Sequence, residues 1–289
     1  MPADAELIAV ARGDAPADCV LHHARLVNVF TRDVQADVSI ALHGGWVARI
    51  ASSDEGAIAA RESIDVGGSY VAPGFIDAHM HVESTMMRPS EFVRLAVPHG
   101  TTGVVFDPHE IANVCGIEGI RYLMDDARGL PMRIMFAASS CVPASHLETA
   151  GASLSAADLE PLFDDPRVVA LAEMMNFPGV VHALPEVLAK VRLGLERRIV
   201  DGHCPGLTGA ALQAYVAAGI SSDHECTTAA EAREKLRLGM RVYLREGSAA
   251  RNLEALLPAV TAANAHRCCF CTDDRHPGDL RDEGHIDHV

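Results

Sequence analysis

The chain has 289 residues, 49% of them hydrophobic, and a formal net charge of −15 at pH 7. That length buries one large core or two smaller ones, and the apolar content excludes a disordered chain. The negative charge argues against a nucleic-acid partner, and with no apolar run near eighteen residues the sequence predicts neither a transmembrane helix nor a membrane partner.

The opening Met-Pro-Ala-Asp-Ala-Glu is acidic and lacks the basic-then-apolar plan of a signal peptide. Eight cysteines occur without the framework of a small secreted domain, so reduced thiols and a cytoplasmic protein are expected. Residues 1 to about 18 are rich in Ala and Asp and read as a loosely ordered or helical lead-in. Short strands follow at Cys19–Phe30, Ala36–Leu42 and Trp46–Ile50, with His43-Gly44-Gly45 turning the chain between the second and third. Together they make residues 1–70 a lead-in and a small β unit, an incomplete β-sandwich that is not a stable domain by itself.

From residue 71 the pattern becomes strand, loop, helix, repeated. Apolar runs fall at Val71–Ile76, Thr102–Phe106, Met132–Ala137, Val168–Ala172, Arg198–Val200, Ala218–Ser221, Arg241–Leu244 and Cys268–Cys271. Helical stretches lie between them, among them Ser90–His99, Gly116–Asp125, Leu184–Leu195, Gly209–Ala217, Thr228–Leu238 and Leu253–Ala263. Such alternation implies a parallel sheet with right-handed crossovers. Eight strands in about 200 residues fit an α/β fold of the (β/α)8 TIM-barrel type over residues 71–289. An open doubly wound sheet is the alternative, but no glycine fingerprint follows the first strand.

Nearly every apolar run ends in His, Asp or Glu. The first is followed by Asp77, His79, His81 and Glu83, and the second by Asp107, His109 and Glu110. The fourth ends at Glu173, the fifth at Asp201 and His203, the sixth at Asp223, His224 and Glu225, the seventh at Glu246, and the eighth at Asp273 and Asp274. In barrels of this type the active site lies at the C-terminal ends of the strands. A single Asp there can serve as a helix N-cap; seven strands ending this way exceed what capping requires.

Side chains alternate along a strand, so His79 and His81 share one face about 7 Å apart. That spacing suits two imidazoles gripping one Zn, Mn or Fe ion. Glu173 can bridge two metals, one oxygen to each, with His203 and His224 holding a second ion and Asp273 closing the set. Four histidines and two carboxylates suffice for a two-metal site with a bridging hydroxide. Taken singly, each has a plainer role: His203 or His224 as loop histidines, Glu173 as partner of a core arginine, Asp273 as a helix cap. The ordered set carries the metal reading. Two other patterns do not mature. His81-Val82-Glu83 resembles a deaminase zinc motif, but no Pro-Cys-x-x-Cys follows. Cys268 and Cys271 have zinc-ribbon spacing within a buried strand and no second pair.

With these residues in place the chain resembles the amidohydrolase superfamily, whose first-strand motif is close to Pro-Gly-Phe-Ile-Asp-Ala-His-Met-His. Within it, the likeness is to the bacterial, barrel-type adenine deaminases. It is carried by His-Val-Glu-Ser-Thr-Met-Met, Phe-Asp-Pro-His-Glu-Ile-Ala-Asn-Val, Ala-Glu-Met-Met-Asn-Phe-Pro-Gly-Val, Asp-Gly-His-Cys-Pro-Gly-Leu, Ser-Ser-Asp-His-Glu-Cys-Thr, Arg-Glu-Gly-Ser-Ala-Ala-Arg-Asn-Leu and Cys-Thr-Asp-Asp-Arg, in order over residues 71–275. The resemblance implies a small purine substrate: hydrolytic deamination of adenine to hypoxanthine and ammonia, in purine salvage. It implies two divalent ions, Mn2+ or Fe2+ ahead of Zn2+, and Glu173 as bridge where many superfamily members use a carbamylated lysine. The chain's two lysines, Lys190 and Lys235, end no strand.

In that chemistry Asp273 shuttles the proton. Glu246, Glu83 and His109 are candidates to protonate or hydrogen-bond the ring nitrogen, with Glu246 slightly favoured. A cyclic-amide hydrolase of the dihydroorotase or hydantoinase kind, and a metal-binding fragment without catalysis, are the alternatives. The family implies further chain beyond the eighth strand, so a truncated protein is expected, its small β unit left with open edges. Whether the chain forms a homo-oligomer is left open.

Overall fold

The structure, a computed structural model, describes residues 4–289. The chain divides into two units, one ending at Pro73 and the other Gly74–Val289.

In the first unit, the helix Ala5–Arg12 starts where the Asp4 carboxylate accepts the Glu6 amide at 2.9 Å. Strands β1 (Ala17–Asn28), β2 (Asp33–His43), β3 (Trp46–Ser52), β4 (Ala60–Asp65) and β5 (Tyr70–Val71) form one sheet. β1 pairs antiparallel with β2, and β2 with β3. The turn between β2 and β3 is Gly44-Gly45, with φ of 57° and 81°; a two-residue hairpin turn of this kind needs positive φ at both positions. β4 and β5 pair parallel with β1 and were not expected from the sequence. β4, Ala-Arg-Glu-Ser-Ile-Asp, is almost wholly exposed, so main-chain pairing defines it and no buried alternation marks it.

In the second unit eight parallel strands form two sheets. β6 (Phe75–Met80), β7 (Thr101–Phe106), β8 (Arg133–Ala138), β9 (Val168–Met174) and β10 (Ile199–Gly202) form the first, in the order β10-β9-β8-β7-β6. β11 (Ser222–Asp223), β12 (Arg241–Arg245) and β13 (Cys268–Cys271) form the second. The result is α/β with a curled parallel half-barrel, not the complete barrel expected. At one seam, β6 and β13 meet at the isolated bridge Met80–Asp273. There the His81 amide donates to the Asp273 carbonyl at 2.9 Å, and the Asp273 amide to the His79 carbonyl at 3.0 Å. At the other seam, the Gly202 amide donates to the Ser222 hydroxyl at 3.2 Å. A Cβ at Gly202 would sit 2.1 Å from the Ser222 carbonyl oxygen, so only glycine permits that approach.

Several boundaries move. The sixth strand starts at Ser222, not Ala218, because the helix Gly209–Ala217 still holds Ala218, whose amide donates to Ala214. The helix expected from Gly116 starts at His109, as two helical runs meeting at Gly116. The helix expected over Leu253–Ala263 stops at Leu256 and continues as one 3-10 turn, since Pro258 supplies no amide hydrogen. Helices cover the sheet with apolar faces: Pro89–Ala96 buries Phe92, Val93 and Ala96. Phe92 and Phe136 each pack edge-on against Phe106, with centroids 5.5 and 5.8 Å away. Burying each such ring stabilises the fold by about 1.5–3 kcal/mol.

Candidate metal centre

The polar end of the first-strand motif lies inside the protein. Phe75 and Ile76 are 43% and 58% exposed, whereas Asp77, His79 and His81 are buried. Asp77 tolerates burial because its oxygens accept the His79 amide at 3.2 Å, the Thr272 amide at 3.1 Å and the Thr272 hydroxyl at 2.6 Å. His285 Nε2 stands 3.0 Å from the same carboxylate. Asp77 thus ties β6 to the end of β13, beneath the site.

His79 and His81 point to one side, their ring centroids 4.9 Å apart. His81 Nδ1 is 2.8 Å from the Asp107 carbonyl oxygen, which can only accept, so Nδ1 carries the proton and Nε2 faces inward. That Nε2 lies 3.3 Å from Glu173 Oε1 and 3.1 Å from Asp273 Oδ1. His79 Nε2 lies 3.9 and 3.6 Å from the same two oxygens. His109 Nδ1 also approaches Glu173 Oε1, at 3.2 Å.

The other oxygen of Glu173 faces a different group. Oε2 is 2.5 Å from His203 Nδ1 and 3.2 Å from His224 Nε2. Glu173 belongs to β9, His203 follows β10 and His224 follows β11, so neighbouring strand ends deliver them. The Glu173 carbonyl accepts the Ser140 hydroxyl at 2.7 Å, fixing the strand end from below. Asp273 has φ of 59°, unusual outside glycine. Its main chain is bonded on both sides to His79 and His81, which holds it in that conformation.

The charged groups of this cluster shift one another. Burial alone raises the Glu173 carboxyl, but His109, His203, His224 and His81 outweigh it and hold the group well below the usual carboxylate range. Asp273 is held down in the same way, mainly by His79 and His81 against burial. Burial depresses His79, yet Asp201, Asp273 and Glu173 overcome it and lift the imidazole to about 10. His81 is raised by Asp273 and Glu173 against the same burial.

The donor set fits divalent metal. His79 Nε2 and both ring nitrogens of His224 are buried without a hydrogen-bond partner, a state that proteins seldom leave uncompensated. Ligand atoms of His79, His224 and Asp273 lie within 4.8 Å of one another, as do those of Glu173, His203 and His224, and those of His81, Asp107, His109 and Glu173. Imidazole nitrogen and carboxylate oxygen suit Zn, Mn or Fe. The grouping differs from the pairing along the sequence: His79 stacks on His224, centroids 4.0 Å apart, rather than sharing a group with His81.

The structure thus brings together His79, His81, His109, Glu173, His203, His224 and Asp273. Two carboxylates stand outside this set. Glu83 accepts the Ile111 amide at 3.2 Å and keeps one buried oxygen unpartnered; burial and the neighbouring Glu110 push it up to about 7. Glu246 accepts the amide of Leu253, the first residue of a short helix, at 3.2 Å. Arg245, which the pattern of strand-end His, Asp and Glu does not include, is buried and donates to Asp273 Oδ2 at 2.7 Å. It also grips Glu225 and donates to Asn252 Oδ1 at 3.2 and 3.1 Å. Its signal was an arginine closing an apolar strand, one residue before the glutamate that drew attention.

The model of the amidohydrolase family matches residues 70–282. The chain is 53% identical over 284 residues to an adenine deaminase of Desulfatibacillum aliphaticivorans, covering 98% of this chain and 49% of that protein. It is 51% identical over 285 residues to an adenine deaminase of Cereibacter sphaeroides, covering 98% and 49%. The chain spans about half the length of the curated relatives it matches. Among solved structures, 5-methylcytosine deaminase from Klebsiella pneumoniae liganded with 5-fluorocytosine aligns with a TM-score of 0.59 at 15% identity, over 92% of this chain and 78% of that one. At that identity the likeness concerns the fold alone.

Proposed function

We propose, since the chain belongs to the amidohydrolase family, that it serves the hydrolytic deamination of adenine to hypoxanthine and ammonia, a step of purine salvage. The observation that carries the chemistry is the division of Glu173: Oε1 faces His79, His81 and His109, and Oε2 faces His203 and His224. The likeness to curated adenine deaminases selects the substrate.

His79, His81, Glu173, His203, His224 and Asp273 would hold two divalent ions, Mn2+ or Fe2+ ahead of Zn2+. Bound there, the ions would lower the pKa of water and supply hydroxide near neutral pH. Asp273 takes the proton released as oxygen bonds to C6, and gives it to the amino group as the C6–N bond breaks. Water and adenine thereby become hypoxanthine and ammonia. The Asp273 carboxylate is oriented for this by Arg245, which holds Oδ2 while Oδ1 faces the histidines. Such acid–base assistance is worth about 10²–10⁴-fold. Charge that develops on ring nitrogen N1 is met by His109 or Glu83. Glu246, already engaged by the Leu253 amide, is the third candidate.

In this reading the two parallel sheets are one (β/α)8 barrel whose ladder thins at two seams. The Met80–Asp273 bridge and the Gly202–Ser222 hydrogen bond support it. The barrel is carried by Gly74–Val289, three residues later than the expected start at 71, and the small β unit precedes it in the chain. Eight free cysteines support a cytoplasmic setting, and among the described residues no helix is long and apolar enough to cross a membrane.

The test is adenine turnover by the purified chain loaded anaerobically with Mn2+ or Fe2+. Hypoxanthine and ammonia in equal amounts are expected. Hydrolysis of a dihydropyrimidine or hydantoin by the loaded chain, with adenine untouched, would overturn the assignment.

A further inference from the structure

Lys235 lies in the helix Ala229–Arg237 with its side chain fully buried. Its ammonium donates to the Cys204 carbonyl at 2.8 Å, Asp223 Oδ2 at 2.9 Å and Glu231 Oε1 at 2.7 Å. An ammonium has three N–H groups, and all three are used. The two carboxylates carry the network outward. Asp223 Oδ1 accepts the Cys204 amide at 2.7 Å, and Oδ2 the Glu225 amide at 3.2 Å. Glu231 accepts the Gly206 amide at 2.8 Å and the Thr227 amide at 3.1 Å. Asp223, Cys226 and Glu231 have ligand atoms close enough to hold a metal ion; the cation among these carboxylates is the chain's own ammonium.

The groups so fixed are the chain neighbours of two histidines. Cys204 follows His203, and both its amide and its carbonyl are held. Asp223 and Glu225 flank His224, one held through its carboxylate and the other through its amide. His203 and His224 are the two residues facing Glu173 Oε2. His81, by contrast, is oriented by the Asp107 carbonyl, with no member of this network involved.

We propose that Lys235 is a positioning residue for the ion that His203 and His224 would hold: through Cys204 and Asp223 it fixes the loop after β10 against the loop after β11, and so sets one imidazole against the other. This rests on the two-ion reading above. Stability gives little reason for such a cluster, because apolar residues of similar volume commonly replace a buried ion pair without loss. Its placement between the backbones of two metal-facing histidines gives a specific one. It also makes the effect unequal, since the group formed by His81, Asp107, His109 and Glu173 contains neither His203 nor His224.

Mn2+ alone is the probe, added to the full purified chain and followed by equilibrium dialysis and electron paramagnetic resonance. The wild-type chain is expected to bind two equivalents and give the spectrum of a spin-coupled pair. Lys235→Met keeps one equivalent, weakens the other about 10- to 100-fold, the usual cost of removing a group that orients a ligand, and shows an isolated Mn2+ signal. Glu231→Gln keeps Lys235 and Asp223, and weakens the same equivalent to a lesser degree; it decides the matter if Lys235→Met does not fold. Val191→Ala, buried in the helix Pro185–Arg197, lowers the melting temperature and leaves both equivalents unchanged. Wild-type affinity for both equivalents in Lys235→Met and Glu231→Gln would overturn the proposal, as would the two equivalents weakening together. Fewer than two equivalents in the wild-type chain would overturn the two-ion reading itself, and the proposal with it.

Discussion

Replacing Glu173 with glutamine keeps its shape and removes its charge. Because each oxygen serves a different group of histidines, both ions should weaken, by more than the ~10–100-fold cost of losing an outer partner. Metal analysis after dialysis checks this, and two retained equivalents would contradict the bridge. Asp273→Asn should leave metal largely bound while turnover falls about 10²–10⁴-fold; activity near wild type would remove Asp273 as proton carrier. The metal-free chain also has a signed pH dependence. His79 rises to about 10 in the fold, above its ordinary value of about 6.5. The stability its ion pairs supply is therefore complete below about 6.5 and lost as pH rises through about 10, so metal-free chain should melt lower at pH 10 than at pH 7. At pH 7 an incoming ion must displace those protons. Calorimetry in buffers of different ionisation enthalpy should show proton release on Mn2+ uptake, and an affinity that falls with falling pH. The clustered residues were legible because each closes a strand with a side chain that core packing would not choose. Arg245 was not, because an arginine at a strand end usually reaches solvent, and its role depends on the Asp273 and Glu225 carboxylates arriving from other strands.

At the scale of elements, the seam between β6 and β13 depends on few groups. Asp77 accepts from the Thr272 amide and hydroxyl, and losing the hydroxyl leaves a buried carboxylate oxygen short of a donor. Thr272→Val should cost about 1–3 kcal/mol, or about 2–4 °C in melting temperature per kcal/mol for a unit of this size; an unchanged melting curve would show that the seam does not need it. Parallel strands alternating with helices were readable, since hydrophobic runs of strand length recur between helical patterns. The exposed β4 was not, because main-chain pairing alone makes it, and the sixth strand was expected four residues too early. The early start of the helix at His109 was hidden too: His109 and Glu110 look like strand-end chemistry, and they occupy the first turn of the helix as well.

For the molecule as a whole, histidines from the ends of four strands converge on the Glu173 carboxylate, so an ion bound there would also contribute to folding. At a free Mn2+ concentration 100 times its dissociation constant, a single site adds about 2.7 kcal/mol. Thermal melts with Mn2+ and with a chelator should differ accordingly, and identical melts would deny metal binding to the native state. The kind of fold and the end of the sheet that carries the site could be read from strand-end chemistry. The division of the expected barrel into two sheets could not, because it falls where the strands are linked by the Met80–Asp273 bridge and the Gly202–Ser222 contact, which leave no periodic trace in the sequence.

The bond between Asp77 and Thr272 joins residues 195 positions apart. Chain order is also time order on the ribosome, where about 5–20 residues are added each second. His79 and His81 therefore emerge roughly 10–40 s before the strand that brings Asp273 to them. Until Glu173 follows, about midway through that interval, they are a His-x-His pair with neither carboxylate beside it. Of the two carboxylates that favour harder ions, Glu173 follows first and Asp273 joins only when β13 docks, so a preference among metals would be completed with that strand.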